Sequence, residues 1–83
     1  MTVIKYPLST EKSVRLMESE NKLVFVVEKH ADKLQIKQDL EKLFKIKVTN
    51  VRTMVSPQGL KKAYVTLAKE TPAIDVATKL GLL

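Results

Sequence analysis

The sequence predicts an α/β domain whose elements follow the order βαβαββα. A continuous apolar run from Leu23 to Val27 indicates a strand that is covered on both faces. Apolar residues at helical spacing follow Asp32, which indicates an amphipathic helix. The turn sequence Ser56-Pro57-Gln58-Gly59 precedes an alternating segment, so the second half of the chain should contain a β-hairpin.

The N-terminal segment predicts a short strand followed by a helix. The strand should span Thr2 to Tyr6 and end at Pro7, which has no backbone N–H to donate. Ser9 or Thr10 is the expected N-cap, because a hydroxyl can accept from the unpaired N–H groups of the first turn. The helix should run over residues 11–20. Its expected inward-facing side chains are Val14 and Met17.

The next segment predicts a central strand and a capped helix. The strand, Lys22 to Glu28, should have helices on both sides of its sheet. Asp32 and Gln35 have the spacing of a capping box, and the helix that they start should continue to about Lys45. Its expected inner stripe is Ile36, Leu40, Leu43 and Phe44. Its expected outer face is Lys33, Lys37, Glu41 and Lys45.

Two β-prone segments flank the turn of the hairpin. In the first, Ile46 to Val55, the apolar positions change from even to odd numbers, which a β-bulge near Thr49 and Asn50 would explain. In the second, Leu60 to Leu67, alternate residues should face the core. The expected core residues are Ala63, Val65 and Leu67, with Tyr64 and Thr66 on the opposite face.

The C-terminal segment predicts a third helix. Thr71 should be its N-cap and Pro72 its first residue, a position that tolerates proline. Gly81 should close the helix, and Leu82-Leu83 should fold back onto it. The expected apolar stripe is Ala73, Val76, Ala77 and Leu80.

Length and composition limit the classes of protein to consider. The chain has 83 residues, which predicts a single domain over residues 1–83. It has no cysteine, so disulfides, thiolate metal sites and cysteine nucleophiles are excluded. No apolar run has the roughly 18–20 residues of a membrane span, and the N-terminus lacks the apolar stretch of a secretory signal. A soluble intracellular protein without membrane insertion is therefore expected.

Residues suited to catalysis are sparse. His30 is the only histidine, and the spacing of its neighbours supplies neither a Ser/His/Asp triad nor a second imidazole for a metal. Gly59 and Gly81 are the only glycines, so a glycine-rich phosphate loop is excluded. We therefore expect no enzyme activity, no catalytic residue, no metal site and no cofactor.

The positive charge is concentrated in the middle of the chain. The formal net charge is +6, and residues 28–62 hold nine basic and four acidic side chains, a net +5. Such a region favours a nucleic acid or another polyanion as the partner. The alternative is a lysine-rich surface that only aids solubility.

Nucleic-acid binding is the function that these observations favour. The hairpin tip should present the ammonium groups of Lys61 and Lys62 side by side, where a phosphate backbone could contact both. The chain has few aromatic residues, so recognition of RNA backbone and shape is favoured over base reading. The candidate RNA-binding residues are Lys5, Tyr6, Thr10, Lys12, Lys33, Lys37, Lys47, Asn50, Arg52, Thr53, Lys61, Lys62 and Tyr64.

Four segments give the chain a resemblance to a known family. They are Tyr6 to Lys12, Ile36 to Gln38, Val48 to Thr53 and Lys61 to Leu67, of which the last is the most specific. On these segments the chain resembles the large-subunit ribosomal protein family numbered twenty-three in the L series. The resemblance covers essentially the whole chain, and residues 73–81 are similar to the archaeal and eukaryotic branch.

The resemblance implies a four-stranded antiparallel sheet with flanking helices, and binding to large-subunit rRNA without catalysis. It also implies a position at the exit of the polypeptide tunnel, beside neighbouring ribosomal proteins. In this family the exposed surface is a docking site for nascent-chain factors, and the signal recognition particle is the factor expected here. An acidic docking residue of bacterial relatives corresponds to Glu11, and Glu18 and Glu20 are further docking candidates.

The chain departs from the family pattern at specific places. Lys45 stands where some bacterial relatives have a second docking glutamate, which argues against the bacterial chaperone mode. Arg52 replaces the usual asparagine, which would exchange an amide contact for a phosphate contact. The link from Met54 to Leu60 is short, so the protein should line the tunnel rim rather than its interior. A free-standing basic module that binds protein or RNA outside the ribosome is the alternative.

Overall fold

The computed structural model describes residues 3–81 and has the predicted order of elements. The strands are β1 (Ile4–Pro7), β2 (Lys22–Val27), β3 (Val48–Val55) and β4 (Lys61–Leu67). The helices are α1 (Glu11–Glu20), α2 (Lys33–Phe44) and α3 (Ala73–Lys79). β1 begins later than expected and includes Pro7, whereas Thr2 lies outside the described residues.

The strands form one four-stranded antiparallel sheet in the order β1-β2-β4-β3, as the resemblance implied. The central strands β2 and β4 pair without a break in register. The predicted bulge is confirmed in β3, where the register shifts between Val48 and Asn50. A second irregularity, between Ile4 and Tyr6 of β1, was not predicted.

The hydrophobic core lies between one face of the sheet and the helices α2 and α3. Ile36 and Leu40 of α2 are fully buried against this face, as their spacing predicted. Phe44 is partly buried, and its ring stacks on that of Phe25 with the centroids 6.1 Å apart. The sheet residues of the core alternate along β2 and β4: Leu23, Phe25, Val27, Ala63, Val65 and Leu67. Removal of these side chains from water is the main favourable contribution to folding.

The strand β2 is buried on both faces, as its continuous apolar run predicted. Val24 and Val26 alternate with the core residues and are also buried, so they lie on the face away from α2 and α3. Val24 lines a shallow pocket together with Leu16 of α1 and Tyr64 of β4. Helix α1 borders this face beside Val24, but Asn50 and Arg52 of β3 remain exposed on it, so the expectation of helices on both sides of the sheet holds in part.

Two apolar residues are less buried than their positions predicted. Leu43, expected on the inner stripe of α2, is 51% exposed. It lies near the C-terminus of α2, on the rim of a groove between α2 and α3, where the sheet no longer covers it. Val14 of α1 is half-buried, whereas Met17 is buried as expected. Ser13 is buried instead, because its hydroxyl completes the cap of α1.

The helices α1 and α2 both begin with reciprocal capping boxes. In α1 the N-cap is Thr10 and not Ser9: the Thr10 hydroxyl accepts from the Ser13 N–H at 3.2 Å, and the Ser13 hydroxyl accepts from the Thr10 N–H at 2.8 Å. The predicted box of α2 is confirmed, with Asp32 accepting from the Gln35 N–H at 2.8 Å and Gln35 accepting from the Asp32 N–H at 3.1 Å. These bonds satisfy N–H groups that a first helical turn leaves unpaired.

The start of α3 differs from the prediction. Pro72 occupies the N-cap position and Ala73 is the first helical residue, so Thr71 is not the cap. The side-chain acceptor comes instead from Asn21, whose Oδ1 accepts from the Ala73 N–H at 2.6 Å. The Asn21 amide nitrogen also donates to main-chain carbonyl oxygens at 3.1–3.2 Å, those of Leu67, Ala68 and Thr71. One side chain thus joins the start of β2, the end of β4 and α3.

The predicted inner stripe of α3 is confirmed. Ala73, Val76 and Ala77 are buried, and Leu80 packs against the core from its edge. Gly81 follows the helix with φ of 77°, in the left-handed region that glycine adopts at helix ends. The predicted fold-back of Leu82-Leu83 lies outside the described residues.

Candidate nucleic-acid interface

The face of the sheet opposite the α2–α3 core is only partly covered, and we call it the open face. Cross-strand partners in an antiparallel sheet lie on the same face, so the register defines its residues. They form rows across the sheet, namely Tyr6–Val26–Lys62–Met54, Val24–Tyr64–Arg52 and Lys22–Thr66–Asn50. The open face therefore collects five of the predicted RNA-binding residues, which are Tyr6, Asn50, Arg52, Lys62 and Tyr64.

The cations of the open face are available to an anionic partner. Within residues 3–81, the side chains of Arg52 and Lys62 form no hydrogen bond or ion pair. Lys22 is 23% exposed, and its ammonium group lies 3.1 Å from the carboxylate of Glu20. A phosphate that approached Arg52 or Lys62 would not have to displace an acidic side chain.

A cleft of about 290 Å³ lies between α1 and the open face, and we call it the α1 cleft. Its lining comes from α1, β2, β3 and β4: Lys12, Leu16, Lys22, Arg52, Thr53, Met54 and Tyr64. Thr10 lies close by, in a neighbouring pocket that Lys12, Lys62 and Tyr64 also line. Lys12, like Arg52, has no ion pair or side-chain hydrogen bond to any described residue. The predicted residues Thr10 and Lys12 are thus added to the group on the open face.

The predicted side-by-side arrangement of Lys61 and Lys62 is wrong. Successive residues of a strand point to opposite faces, so only Lys62 lies on the open face. The Lys61 ammonium group donates to the carbonyl oxygens of Ala31 at 2.7 Å and Lys29 at 3.1 Å. Lys61 therefore holds the loop before α2 against the beginning of β4.

This difference predicts that the two neighbouring lysines respond differently to substitution. Lys61→Met should lower the free energy of unfolding by about 1 kcal/mol, since two charge-assisted hydrogen bonds at a half-exposed site are lost. Lys62→Met keeps the apolar stem, removes no hydrogen bond and should leave stability within about 0.5 kcal/mol of wild type. Urea denaturation followed by circular dichroism measures both. Equal losses of stability in the two variants would contradict the conclusion that only Lys61 forms hydrogen bonds within the protein.

Three predicted residues have side chains away from the open face. Thr53 borders the α1 cleft, but it pairs with the buried Ala63, so its side chain belongs to the core side of β3. Lys33 is exposed and Lys37 half-buried on α2, which packs on that same side. Their predicted contact with RNA would therefore need a second surface, separate from the open face.

Two other predicted cations already have acidic neighbours. The Lys47 ammonium group lies 3.0 Å from the carboxylate of Glu70. The Lys5 ammonium group lies 4.0 Å from the carboxylate of Glu28, at the distance limit for an ion pair. Such exposed pairs contribute little to stability, so either lysine could exchange its carboxylate for a phosphate.

The predicted docking residues lie on α1 but do not share one face. Glu11 and Glu18 are seven positions apart and lie on the same exposed side of the helix. Glu11 accepts a hydrogen bond from Arg15 at 2.8 Å, whereas Glu18 has no partner among the described residues. Glu20 is directed to the other side, where it pairs with Lys22.

The sequence analysis missed Lys22 as a candidate for the interface. The alternation of Lys22 with Val24 and Val26 could have placed it on the same side as Tyr64, once β2 and β4 were known to pair.

Residues 3–81 contain no group of three or more His, Asp or Glu side chains placed to bind a metal ion. None of the described helices combines the length and the hydrophobicity needed to cross a membrane.

The fold and the surface define a small basic α+β protein with one cationic sheet face. The family model of ribosomal protein L23 matches residues 2–75. A large ribosomal subunit protein uL23 from Pyrobaculum aerophilum is 47% identical over 81 residues, which are 98% of this chain and all of that protein. A protein of the same name from Trypanosoma brucei brucei is 42% identical over 98% of this chain, which spans about half (49%) of that longer protein. The chain belongs to the ribosomal protein L23 family, which confirms the resemblance read from its segments.

Proposed function

We propose that this protein is a structural constituent of the large ribosomal subunit, and that it binds large-subunit rRNA through its open face without catalysis. The observation that carries the proposal is the convergence of Lys62, Arg52 and Lys12 on one surface, each without an acidic partner among residues 3–81. Family membership supports the ribosomal setting. Cations that neutralise phosphates release counterions, which favours binding without reading a sequence.

The remaining groups of the open face suit the RNA backbone. Asn50 is exposed and Tyr64 half-buried, and both can form hydrogen bonds to phosphate or to the ribose hydroxyl. The sheet holds the backbone of these residues at fixed spacing, so only their side chains have to be ordered when RNA binds. The proposed interface is therefore a rigid surface that positions a folded RNA.

The proposed location is the cytoplasmic ribosome, near the exit of the polypeptide tunnel and beside other ribosomal proteins, with residues 1–83 as one domain. The acidic side of α1 supports a docking role on the part of the surface that RNA leaves free. Glu11 and Glu18 are exposed there, on a different side of the helix from Lys12 of the cleft. A nascent-chain factor with a basic surface, such as the signal recognition particle, is the proposed partner.

Salt titration of rRNA binding tests the main proposal. The logarithm of the affinity for a large-subunit rRNA fragment should fall linearly with the logarithm of salt concentration, by about 0.7–0.9 for each neutralised phosphate. In a sucrose gradient, the tagged protein should migrate with the large subunit. A flat salt dependence would argue against phosphate contacts, and a purely soluble pool would favour the free-standing module.

A second test addresses docking on α1. Glu18→Gln should weaken the binding of the signal recognition particle to ribosomes by about three- to fivefold, because one exposed ion pair is lost. Asp75→Asn removes the same charge from α3, on the side of the groove with α2, and serves as the control, because Asp75, like Glu18, has no ion pair among the described residues. The measurement is co-sedimentation with ribosomes that carry each variant. Equal binding by the two variants would count against docking on this side of α1.

A further inference from the structure

The α1 cleft combines features that a surface contacting only the phosphates of RNA does not need. It is concave, it holds cations from three different elements, and its floor includes an aromatic ring and apolar side chains. We infer that the α1 cleft receives one unstacked nucleotide of the bound RNA, with its phosphate among the cations and its base against Tyr64. The inference rests on the proposed function and specifies one site within the open face.

The cations of the cleft are placed to hold a phosphate from several sides. Lys12 comes from α1, Lys22 from β2 and Arg52 from β3, so the backbone of three elements fixes their positions. Lys12 and Arg52 have no acidic partner within the described residues. Glu20 lies 3.1 Å from Lys22 and offsets part of its charge, but it does not line the cleft. The lining therefore carries cations and no carboxylate.

The aromatic and apolar part of the cleft fits a base. Tyr64 lies on the central strand β4, lines the cleft and is half-buried, so part of this residue stays accessible to a ligand. Leu16 and Met54 line the same cleft, and both can pack against the edge or face of a heterocycle. Bases that leave the helical stack of RNA are commonly bound on such aromatic rings.

The size of the cleft suits a single nucleotide. Its volume of about 290 Å³ is just below the range for small-ligand sites, roughly 300–1,000 Å³. That space can hold part or all of one nucleotide. An acidic peptide would use the cations but would leave the ring and the apolar side chains without a specific contact, so the lining favours a nucleotide.

A tryptophan reporter at position 64 tests the inference directly. The chain has no tryptophan, so Tyr64→Trp introduces a single indole whose fluorescence a stacked base would quench. Binding of large-subunit rRNA should quench this emission, and at least one 5′-mononucleotide should do so at high concentration. Ribose 5-phosphate and inorganic phosphate should not. Leu43→Trp, on the exposed rim of the α2–α3 groove, is the control and should keep its emission when rRNA binds.

The outcomes separate this inference from the proposed function. If rRNA binds the Tyr64→Trp variant with the expected salt dependence while the indole emission is unchanged, the RNA backbone crosses the cleft without inserting a base; the inference is then overturned and the proposed function stands. If rRNA does not bind wild-type protein, both fail. Quenching or competition by polyglutamate as strong as by RNA would assign the cleft to an acidic peptide and would also overturn the inference.

A second set of variants covers the case in which Tyr64→Trp does not fold. Tyr64→Leu should lower rRNA affinity about tenfold, because it removes the ring and keeps apolar packing. Tyr64→Phe keeps the aromatic ring, so its loss of rRNA affinity should be clearly smaller. Thermal unfolding of each variant reports whether the fold is intact. Equal losses for the leucine and phenylalanine variants, with both proteins folded, would show that no base stacks on this residue.

Discussion

Simultaneous replacement of Arg52 and Lys62 by alanine should lower the affinity for large-subunit rRNA by about ten- to a hundredfold at physiological ionic strength. The slope of log affinity against log salt should become shallower by about 1.4–1.8, which corresponds to two phosphate contacts. Both side chains lie on the open face and lack a partner among residues 3–81, so the change removes charge without breaking a bond within the protein. Filter binding over a series of salt concentrations measures both quantities.

The control for this experiment is the double variant Lys33→Ala with Lys37→Ala. It lowers the formal net charge of +6 by the same two units, but on α2, on the other side of the sheet. We expect a smaller loss of affinity, because these lysines are not part of the group on the open face. A loss as large as that of the Arg52 and Lys62 variant would contradict the proposal that RNA binds mainly through the open face.

Substitution of Asn21 should strongly destabilise the fold, because its side chain forms hydrogen bonds to four main-chain groups. Asn21→Gly should lower the free energy of unfolding by about 3 kcal/mol, because one side chain supplies the hydrogen bonds to Ala73 and to three carbonyl groups. The melting temperature should fall by about 15 °C for a domain of this size. Glycine is the informative replacement because it retains the φ of 55° at little cost, so the loss reports the side chain alone.

Two further variants test this role of Asn21. Asn21→Asp retains the acceptor for the Ala73 N–H but places a carboxylate against three carbonyl oxygens, so it should be at least as destabilising as glycine. Asn50→Ala is the control, since Asn50 is exposed and forms no side-chain hydrogen bond to a described residue; its effect should stay within about 0.5 kcal/mol. Calorimetry measures all three. An Asn21→Asp variant as stable as wild type would contradict the stabilising role of the hydrogen bonds from the Asn21 amide.

Local patterns were sufficient to predict most of the fold. Each pattern has a short-range physical cause: the capping box of Asp32 and Gln35 satisfies N–H groups within one turn, and alternation in β4 separates Ala63 from Tyr64. The bulge near Asn50 could be predicted because the inserted residue moves the apolar positions of the strand from even to odd numbers. The antiparallel arrangement of four strands in one sheet came from the family resemblance, since no local signal contains it.

Long-range contacts explain what the sequence did not predict. Asn21 caps a helix that begins 52 positions later. No local sequence pattern predicts a hydrogen bond between residues so far apart in the chain. The hydrogen bonds from Lys61 to the carbonyl groups of Lys29 and Ala31 depend on how a loop meets β4, so the sequence wrongly placed the ammonium groups of Lys61 and Lys62 side by side. Five candidates, Tyr6, Asn50, Arg52, Lys62 and Tyr64, lie together on the open face, but the sequence did not predict that face, which required the register of β2 against its neighbours.

The irregular pairing of both outer strands has a consequence for the isolated protein. An unpaired strand edge is a template for self-association with a second copy. β1 is four residues long, ends in a proline and has an irregularity between Ile4 and Tyr6, whereas β3 has its bulge next to Thr49 and carries Arg52 along its length. These features disfavour flat edge-to-edge pairing of two copies, so the isolated chain should resist aggregation.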